Sequence, residues 1–185
     1  MKNIIVLEGP SGVGKDTIMW ELIESDPTFQ KIVSYTDRER RPNEIAGHHY
    51  HFIDTKTFEA KIKSGDIFEY TTRHGTYRGM SKILIDKQLE AGKIVIKDCD
   101  PIGLNALKKA YPNKVVGIFI TADRKVVKQR LENRGGTDID VRLKDYDQKI
   151  KDAVNYDFTV CNNGEIKKTV AEVRRIMEEN NGASI

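Results

Sequence analysis

The stretch Gly9-Pro10-Ser11-Gly12-Val13-Gly14-Lys15 constrains this 185-residue chain more than any other. Ahead of it, Ile4-Ile5-Val6-Leu7 reads as a buried strand. Behind it, Thr17-Ile18-Met19-Trp20-Glu21-Leu22-Ile23 reads as a helix. Strand, glycine loop and helix in that order form the setting a phosphate-binding loop requires. Glycines let the backbone curl so that N–H groups converge, the helix N-terminus adds partial positive charge, and Lys15 reaches the outer phosphates. The spacing matches G-x-x-x-x-G-K through Lys15 and departs at Asp16, where Ser or Thr would ordinarily hold Mg²⁺. The stretch therefore predicts a nucleoside triphosphate site, with Gly9, Ser11, Gly12, Val13, Gly14, Lys15, Asp16 and Thr17 around the phosphates.

Length and charge narrow the rest. The chain is long enough for one domain with a proper core and too short for two large ones. No apolar run approaches the roughly 20 residues of a membrane span. The N-terminus opens on a strand and not on a signal-peptide pattern, so a cytoplasmic location and no membrane partner are expected. A formal net charge of +3 is too small to argue for nucleic acid and suits anionic small molecules. Cys99 and Cys161 lie far apart, fit no metal spacing, and are expected as reduced, partly buried thiols.

Strand and helix signals alternate. Strand-like runs also cover residues 31–35, 94–98, 115–121 and 158–161, and helical periods cover 17–24, 81–91, 102–109, 124–133, 140–154 and 166–179. This predicts an α/β fold: a parallel sheet covered by helices on both faces, with ligands beyond the carboxyl ends of its strands. Residues 35–80 break the rhythm. They are polar and rich in Arg, His and Tyr, with strand-like pieces at 50–53 and 67–70 and a helix near 56–64 that ends at Gly65, and they read as an inserted subdomain. Residues 124–141 read as a lid, whose loop Asn133-Arg134-Gly135-Gly136-Thr137-Asp138 joins two charged helices. The core of a single domain is then 1–34, 81–123 and 142–185, with residues 180–184 expected to fray. In His48-His49-Tyr50-His51, strand alternation would put His49 and His51 on one face, with no carboxylate or cysteine at a familiar spacing to complete a metal set.

Several further stretches, in order along nearly the whole chain, resemble the guanylate kinase family. Ser34-Tyr35-Thr36-Asp37-Arg38-Glu39-Arg40-Arg41 is similar to its S-x-T-T-R-x-x-R, and Glu44, Gly47, Tyr50 and Phe52 follow at its spacing. Phe68-Glu69-Tyr70 resembles F-x-E-x, and Gly75-Thr76-Tyr77-Arg78-Gly79 resembles G-N-Y-Y-G. Asp98-Cys99-Asp100 with Gly103 resembles D-I-D-x-Q-G. Arg130-Leu131-Glu132-Asn133-Arg134-Gly135 resembles the lid's R-L-x-x-R-G, and Val160-Cys161-Asn162-Asn163 the V-N-D-D near the ATP base.

That resemblance implies a P-loop NTPase-type sheet with an inserted monophosphate-binding subdomain and a short lid. It also implies ATP-dependent in-line phosphorylation of GMP, with dGMP as a related acceptor, to GDP by a monomer or weak homodimer. Lys15, Arg38, Arg130, Arg134 and Arg142 would be catalytic; Ser34, Arg38, Arg41, Tyr50, Glu69, Arg78 and Asp100 would bind GMP. Asn162 would lie on the adenine side, and Asp16 and Asp98 near Mg²⁺. The residue types suit the chemistry on their own terms. Guanine offers adjacent N1–H and N2–H₂ donors, which one carboxylate such as Glu69 can accept, and an O6 to which Ser34 can donate. Arg38 and Arg41 are planar forks suited to a monophosphate.

The pattern departs in places. Arg78 stands where the family has a phosphate-binding Tyr, and Met80 where it has a Ser or Thr facing the base, with Ser81 next to it as a candidate substitute. Lys97 is unusual at the end of a buried strand, and the lid is shorter than the family's. Asp after the loop lysine is also found in the ribose 1,5-bisphosphate phosphokinases, which resemble guanylate kinase. A kinase of the same fold acting on that sugar or on another nucleoside monophosphate is therefore an alternative, and a non-catalytic guanylate kinase-like module that recognises phosphorylated peptides is a third reading.

Overall fold

Five consecutive residues of strand β1 (Ile4–Glu8) are buried, so the run shows no polar alternation. The cause is its place at the centre of the sheet. In the computed structural model, which describes residues 1–135 and 138–181, β1 pairs in parallel with β7 (Ile94–Asp98) on one side and β8 (Val115–Thr121) on the other. Strands β2 (Phe29–Lys31) and β9 (Phe158–Cys161) complete a parallel sheet of order β2-β7-β1-β8-β9. Ile5 and Leu7 face a core cluster built with helices α1 (Lys15–Ser25) and α7 (Ile166–Asn180). Ile4 and Val6 face a second cluster that includes Met80, Ile85, Leu104 and Tyr111. Because β1 is flanked by strands reached by opposite crossovers, a crevice opens beyond its carboxyl end, where ligands bind in such sheets.

The insert has its own four-stranded sheet, order β4-β3-β6-β5, from β3 (Tyr35–Thr36), β4 (His51–Phe52), β5 (Ile67–Arg73) and β6 (Thr76–Ser81). β5 and β6 are joined by His74 and Gly75, both at positive φ (50° and 75°), the twist a two-residue hairpin demands. Helix α2 (Thr55–Lys63), capped by Asp54 accepting from Thr57 N–H at 2.8 Å, buries Phe58 against this sheet. Phe58 stacks on Tyr77 with centroids 4.9 Å apart. Gly79 permits that closeness, since a Cβ there would lie 2.7 Å from Ile67 Cγ2 and 2.8 Å from the Glu69 carbonyl oxygen.

The remaining helices are α3 (Lys82–Glu90), α4 (Pro101–Ala110), α5 (Arg124–Asn133) and α6 (Ile139–Lys151). The expected α/β architecture with a parallel sheet is thus present. Several boundaries differ. Residues 31–35 are not one strand: β2 ends at Lys31 in the core sheet and β3 begins at Tyr35 in the insert sheet, because the chain crosses between sheets there. Residues 76–81 form β6, a strand that the glycines at 75 and 79 obscured. Helix α6 ends at Lys151 and not at 154, because the chain turns at Asp152, whose carbonyl accepts from Val154 N–H, and Asn155 adopts φ 71°. Asn180 and Asn181 do not fray: Asn181 Nδ2 donates to the Lys2 carbonyl at 3.0 Å, and residues 182–184 lie outside the described residues. Cys99 is partly buried, its thiol pushed up by burial, whereas Cys161 is exposed at the edge strand. Among the described residues no helix is long and apolar enough to cross a membrane.

Asp66 joins insert to core. It is 6% exposed and accepts from Lys61 Nζ at 2.9 Å, from the Ser81 hydroxyl, and from Ile83 N–H at 3.2 Å. Ser81 in turn caps α3 by accepting from Leu84 N–H. Burial pushes the Asp66 carboxyl up, but these donors together outweigh it and hold its pKa below the usual value. Removing one partner of a buried charged pair leaves the other uncompensated. Asp66→Ala is therefore expected to lower stability by about 3 kcal/mol in urea unfolding. A depressed folded pKa stabilises above the unfolded value and is lost as pH falls, so the gap between native and D66A should narrow in acid below about pH 4.

Candidate active site

The phosphate loop follows β1 directly, and each glycine has a steric reason. A Cβ on Gly9 would lie 2.2 Å from the Ile120 carbonyl oxygen of β8. Gly14, the N-cap of α1 at φ 94°, passes over Asn162 so closely that a Cβ would fall 2.6 Å from its Nδ2. Val13 anchors the loop with a fully buried side chain. Its carbonyl accepts from Asn162 Nδ2 at 2.8 Å and from Arg130 Nη1 at 3.1 Å. Asn162 is 1% exposed, and its other amide atom accepts from Thr169 at 2.9 Å. Asn162, expected on the adenine side, lies beneath the loop and supports it there.

A cleft of about 460 Å³ opens from this loop toward the insert. Gly9, Ser11, Gly12, Gly14, Lys15 and Asp16 line its near end. Lys15 Nζ rests 3.2 Å from Asp16 Oδ1, whose side chain is 72% exposed. Thr17 is exposed on α1 and takes no part in the lining, another difference from expectation. Of the lid arginines, Arg134 lines the cleft and Arg142 donates to the Ser11 hydroxyl at 3.0 Å. Burial lowers the Arg130 pKa and the nearby Arg134 charge lowers it further, so two guanidiniums repel one another beside the loop. Gly136 and Thr137 of the lid loop lie outside the described residues.

The far end carries Ser34, Arg38, Glu69, Arg78 and Asp100, while Asp98, in register with Leu7 of β1, stands nearer the loop. Asp100 caps α4 by accepting from Gly103 N–H at 3.0 Å, which fixes its carboxylate at the rim. Burial raises the Glu69 pKa, Asp100 raises it further, and Lys97 opposes both. Arg38 Nη2 donates to Glu44 Oε1 at 2.6 Å, and Glu44 Oε2 accepts from Arg41 N–H at 2.9 Å. The Arg38 bond, with the Arg41 amide second, pulls the Glu44 pKa down to about 2. The Arg41 side chain is exposed and off the cleft, because the loop closes on Glu44. Tyr50 lies in an adjoining cavity of about 340 Å³, with the Arg78 guanidinium 4.8 Å from its ring centre. The histidine tract serves the same junction: His48 stacks on Trp20 of α1, centroids 4.8 Å apart and ring planes nearly parallel.

Sequence reasoning passed over Glu8. It is 7% exposed, lines the cleft, and leaves Oε2 buried with no partner among the described residues, while Oε1 faces Lys149 Nζ at 3.5 Å. The available signal was an acidic residue ending an otherwise apolar strand. Lys97, noted only as odd, is 7% exposed on the cleft wall. Ser81, held as a substitute donor at the base, is fully buried between Asp66 and α3 and does not face the cleft.

A glycine loop on a parallel sheet, facing a carboxylate- and arginine-lined insert across one cleft, defines a P-loop phosphotransferase with a separate acceptor pocket. Comparison with known proteins is more specific. The guanylate kinase family model matches residues 1–180. A guanylate kinase of Symbiobacterium thermophilum is 32% identical over 177 residues, covering 94% of this chain and 83% of its own. One of Helicobacter pylori is 37% identical over 164 residues, covering 86% and 79%. The solved guanylate kinase of Anaplasma phagocytophilum shares the fold with a TM-score of 0.73 at 24% identity, over 98% of this chain and 87% of that one. The chain belongs to the guanylate kinase family.

The support role of Asn162 has a direct check. Asn162→Ala removes a buried donor to Val13 and strands Thr169, so stability without nucleotide should fall by about 2 kcal/mol in denaturant titration. A residue that only touched a base would leave the nucleotide-free protein unchanged.

Proposed function

We propose that the chain moves the γ-phosphoryl group of ATP onto the phosphate of GMP, giving ADP and GDP. The observation that carries this reading is a single cleft with the phosphate loop at one end and Glu69 at the other. Family membership supports the same acceptor.

The loop amides and Lys15 hold the ATP phosphates. Arg38 and Arg78 receive the GMP phosphate, and Arg41 and the Tyr50 hydroxyl join them once the insert closes. Glu69 accepts the N1–H and N2–H₂ of the purine, with Asp100 beside it and Ser34 donating to O6. A phosphate oxygen of GMP attacks the γ-phosphorus in line. The bond to the bridging oxygen breaks, and ADP leaves with the electron pair. Such a step needs positioning and charge neutralisation more than proton transfer. Arg134 and Arg142 meet the charge on the group in flight, and Arg130 steadies the loop through Val13.

Mg²⁺ fits the donors near the loop. Asp16 and Asp98 are hard oxygen ligands that line the cleft, and Glu8 lines it too. Asp16 and Asp98 would hold the ion, which would neutralise charge on the transferring phosphates. All these groups come from one chain, so a monomer or weak homodimer suffices, and the cytoplasm is the compartment this reading assigns.

ADP release should be measured with GMP, dGMP, AMP, CMP, UMP and ribose 1,5-bisphosphate as acceptors. GMP should be preferred, and Lys15→Ala should lower kcat by about 10²-fold or more. Absence of GMP turnover would overturn the reading.

A pH dependence also follows. Purine binding needs Glu69 ionised, and its pKa lies above the ordinary 4.5. KM for GMP should therefore climb as pH falls toward 5 and level off near neutrality. Glu69→Gln should raise KM by about 10²-fold and flatten that acid limb, as steady-state kinetics between pH 5 and 8 would reveal.

A further inference from the structure

A 6-oxopurine in the acceptor end of the cleft brings two neighbouring acceptors as well as a donor edge. Glu69 answers the N1–H and N2–H₂ edge, but O6 and the adjacent N7 are acceptors that need donors. Among neutral side chains lining the cleft, Ser34 and Thr71 carry hydroxyls, while that of Thr36 donates to the Tyr77 carbonyl. Met80, 1% exposed, supplies none, and the Ser81 hydroxyl is engaged with Asp66 and Leu84.

Lys97 stands in the same wall. It is in register with Val6 at the centre of the sheet, where side chains are otherwise apolar. Strand alternation puts it on the face of β7 that carries Val95, the face packed against Met80. A lysine so buried costs several kcal/mol of desolvation unless its charge is answered. Here the answer is thin: Asp98 Oδ1 lies 3.6 Å from Nζ, and among the described residues no hydrogen bond engages Nζ. The charge of Lys97 is nevertheless felt at Glu69 and at Cys99, and Lys97 and Glu69 line the same cleft.

We propose that Lys97 is a specificity-determining residue of the acceptor site, whose ammonium donates to O6 and N7 of the bound purine in place of the hydroxyl that position 80 lacks. The proposal rests on reading this end of the cleft as the GMP pocket. It explains a charge in a buried strand and a methionine on a polar wall with one interaction. The same ammonium disfavours adenine, whose 6-amino group would bring two donors face to face.

The test is calorimetric binding of GMP, 6-thio-GMP and 7-deaza-GMP to the full chain without ATP, alongside steady-state kinetics. Sulfur at position 6 accepts weakly but leaves the N1–H and N2–H₂ edge intact, and 7-deaza-GMP removes N7 alone. The unsubstituted protein should prefer GMP to both analogues. Lys97→Met should weaken GMP binding about 30-fold, raise KM in step with that loss while kcat stays within about threefold, and reduce the GMP preference over both analogues to about twofold. Met80→Ser in the K97M background should recover part of the GMP affinity. Lys97→Gln, a milder change with a neutral donor, should fall between and serves if K97M does not fold. Equal losses for GMP and 6-thio-GMP would overturn the proposal, since they would mean that Lys97 only neutralises Asp98 and Glu69. Unchanged GMP affinity in a folded K97M or K97Q would overturn it too. If the unsubstituted protein binds no GMP at all, the acceptor pocket reading itself is wrong and the proposal falls with it.

Discussion

The grip of Asn162 on the Val13 carbonyl is the contact on which the catalytic half of the molecule depends. It lies beneath the loop, where Gly14 leaves room for it, and it joins β1 to the segment after β9. A phosphate loop works because its amide hydrogens are already aimed before the ligand arrives. Aiming them requires that the carbonyls point the other way and find donors there. Asn162 and Arg130 are those donors, and both hold the loop through the Val13 carbonyl.

Charge organises the cleft as firmly as packing does. Glu8, Asp16, Asp98, Asp100 and Glu69 share it with Lys15, Lys97, Arg38, Arg78 and Lys149. Opposed charges this close fall short of neutralising one another, as the raised Glu69 and Glu8 carboxyls testify; in both, burial dominates. Such a surface suits polyanions carrying a cation with them. It is poorly matched to an apolar ligand or to a peptide held by a few contacts.

Local chemistry was legible in the sequence wherever neighbours in sequence create it. The loop could be read because its glycines, its lysine and the flanking strand and helix are contiguous, and Glu69, which lines the cleft, was singled out as a carboxylate between two aromatics. What stayed hidden depends on partners far along the chain. Val13 and Asn162 are 149 residues apart, and nothing local distinguishes an asparagine under a loop from one beside a base. The break between β2 and β3 was invisible because Lys31-Ile32-Val33-Ser34-Tyr35 has strand propensity throughout, and propensity does not record a change of sheet. Ser81 had a cap residue's chemistry, yet only the fold showed that Asp66 had claimed its hydroxyl.

The guanidinium fork at Arg38 is occupied by Glu44. With Arg38 proposed to receive the acceptor phosphate, docking becomes an exchange of anions: a resident carboxylate yields to an incoming phosphate and returns when the product departs. Exchange of this kind tempers affinity without loosening geometry, because the arginine is held ready at every stage and no bare cation must be re-covered by solvent. An enzyme arranged in that way can discriminate sharply at its pocket and still empty it quickly.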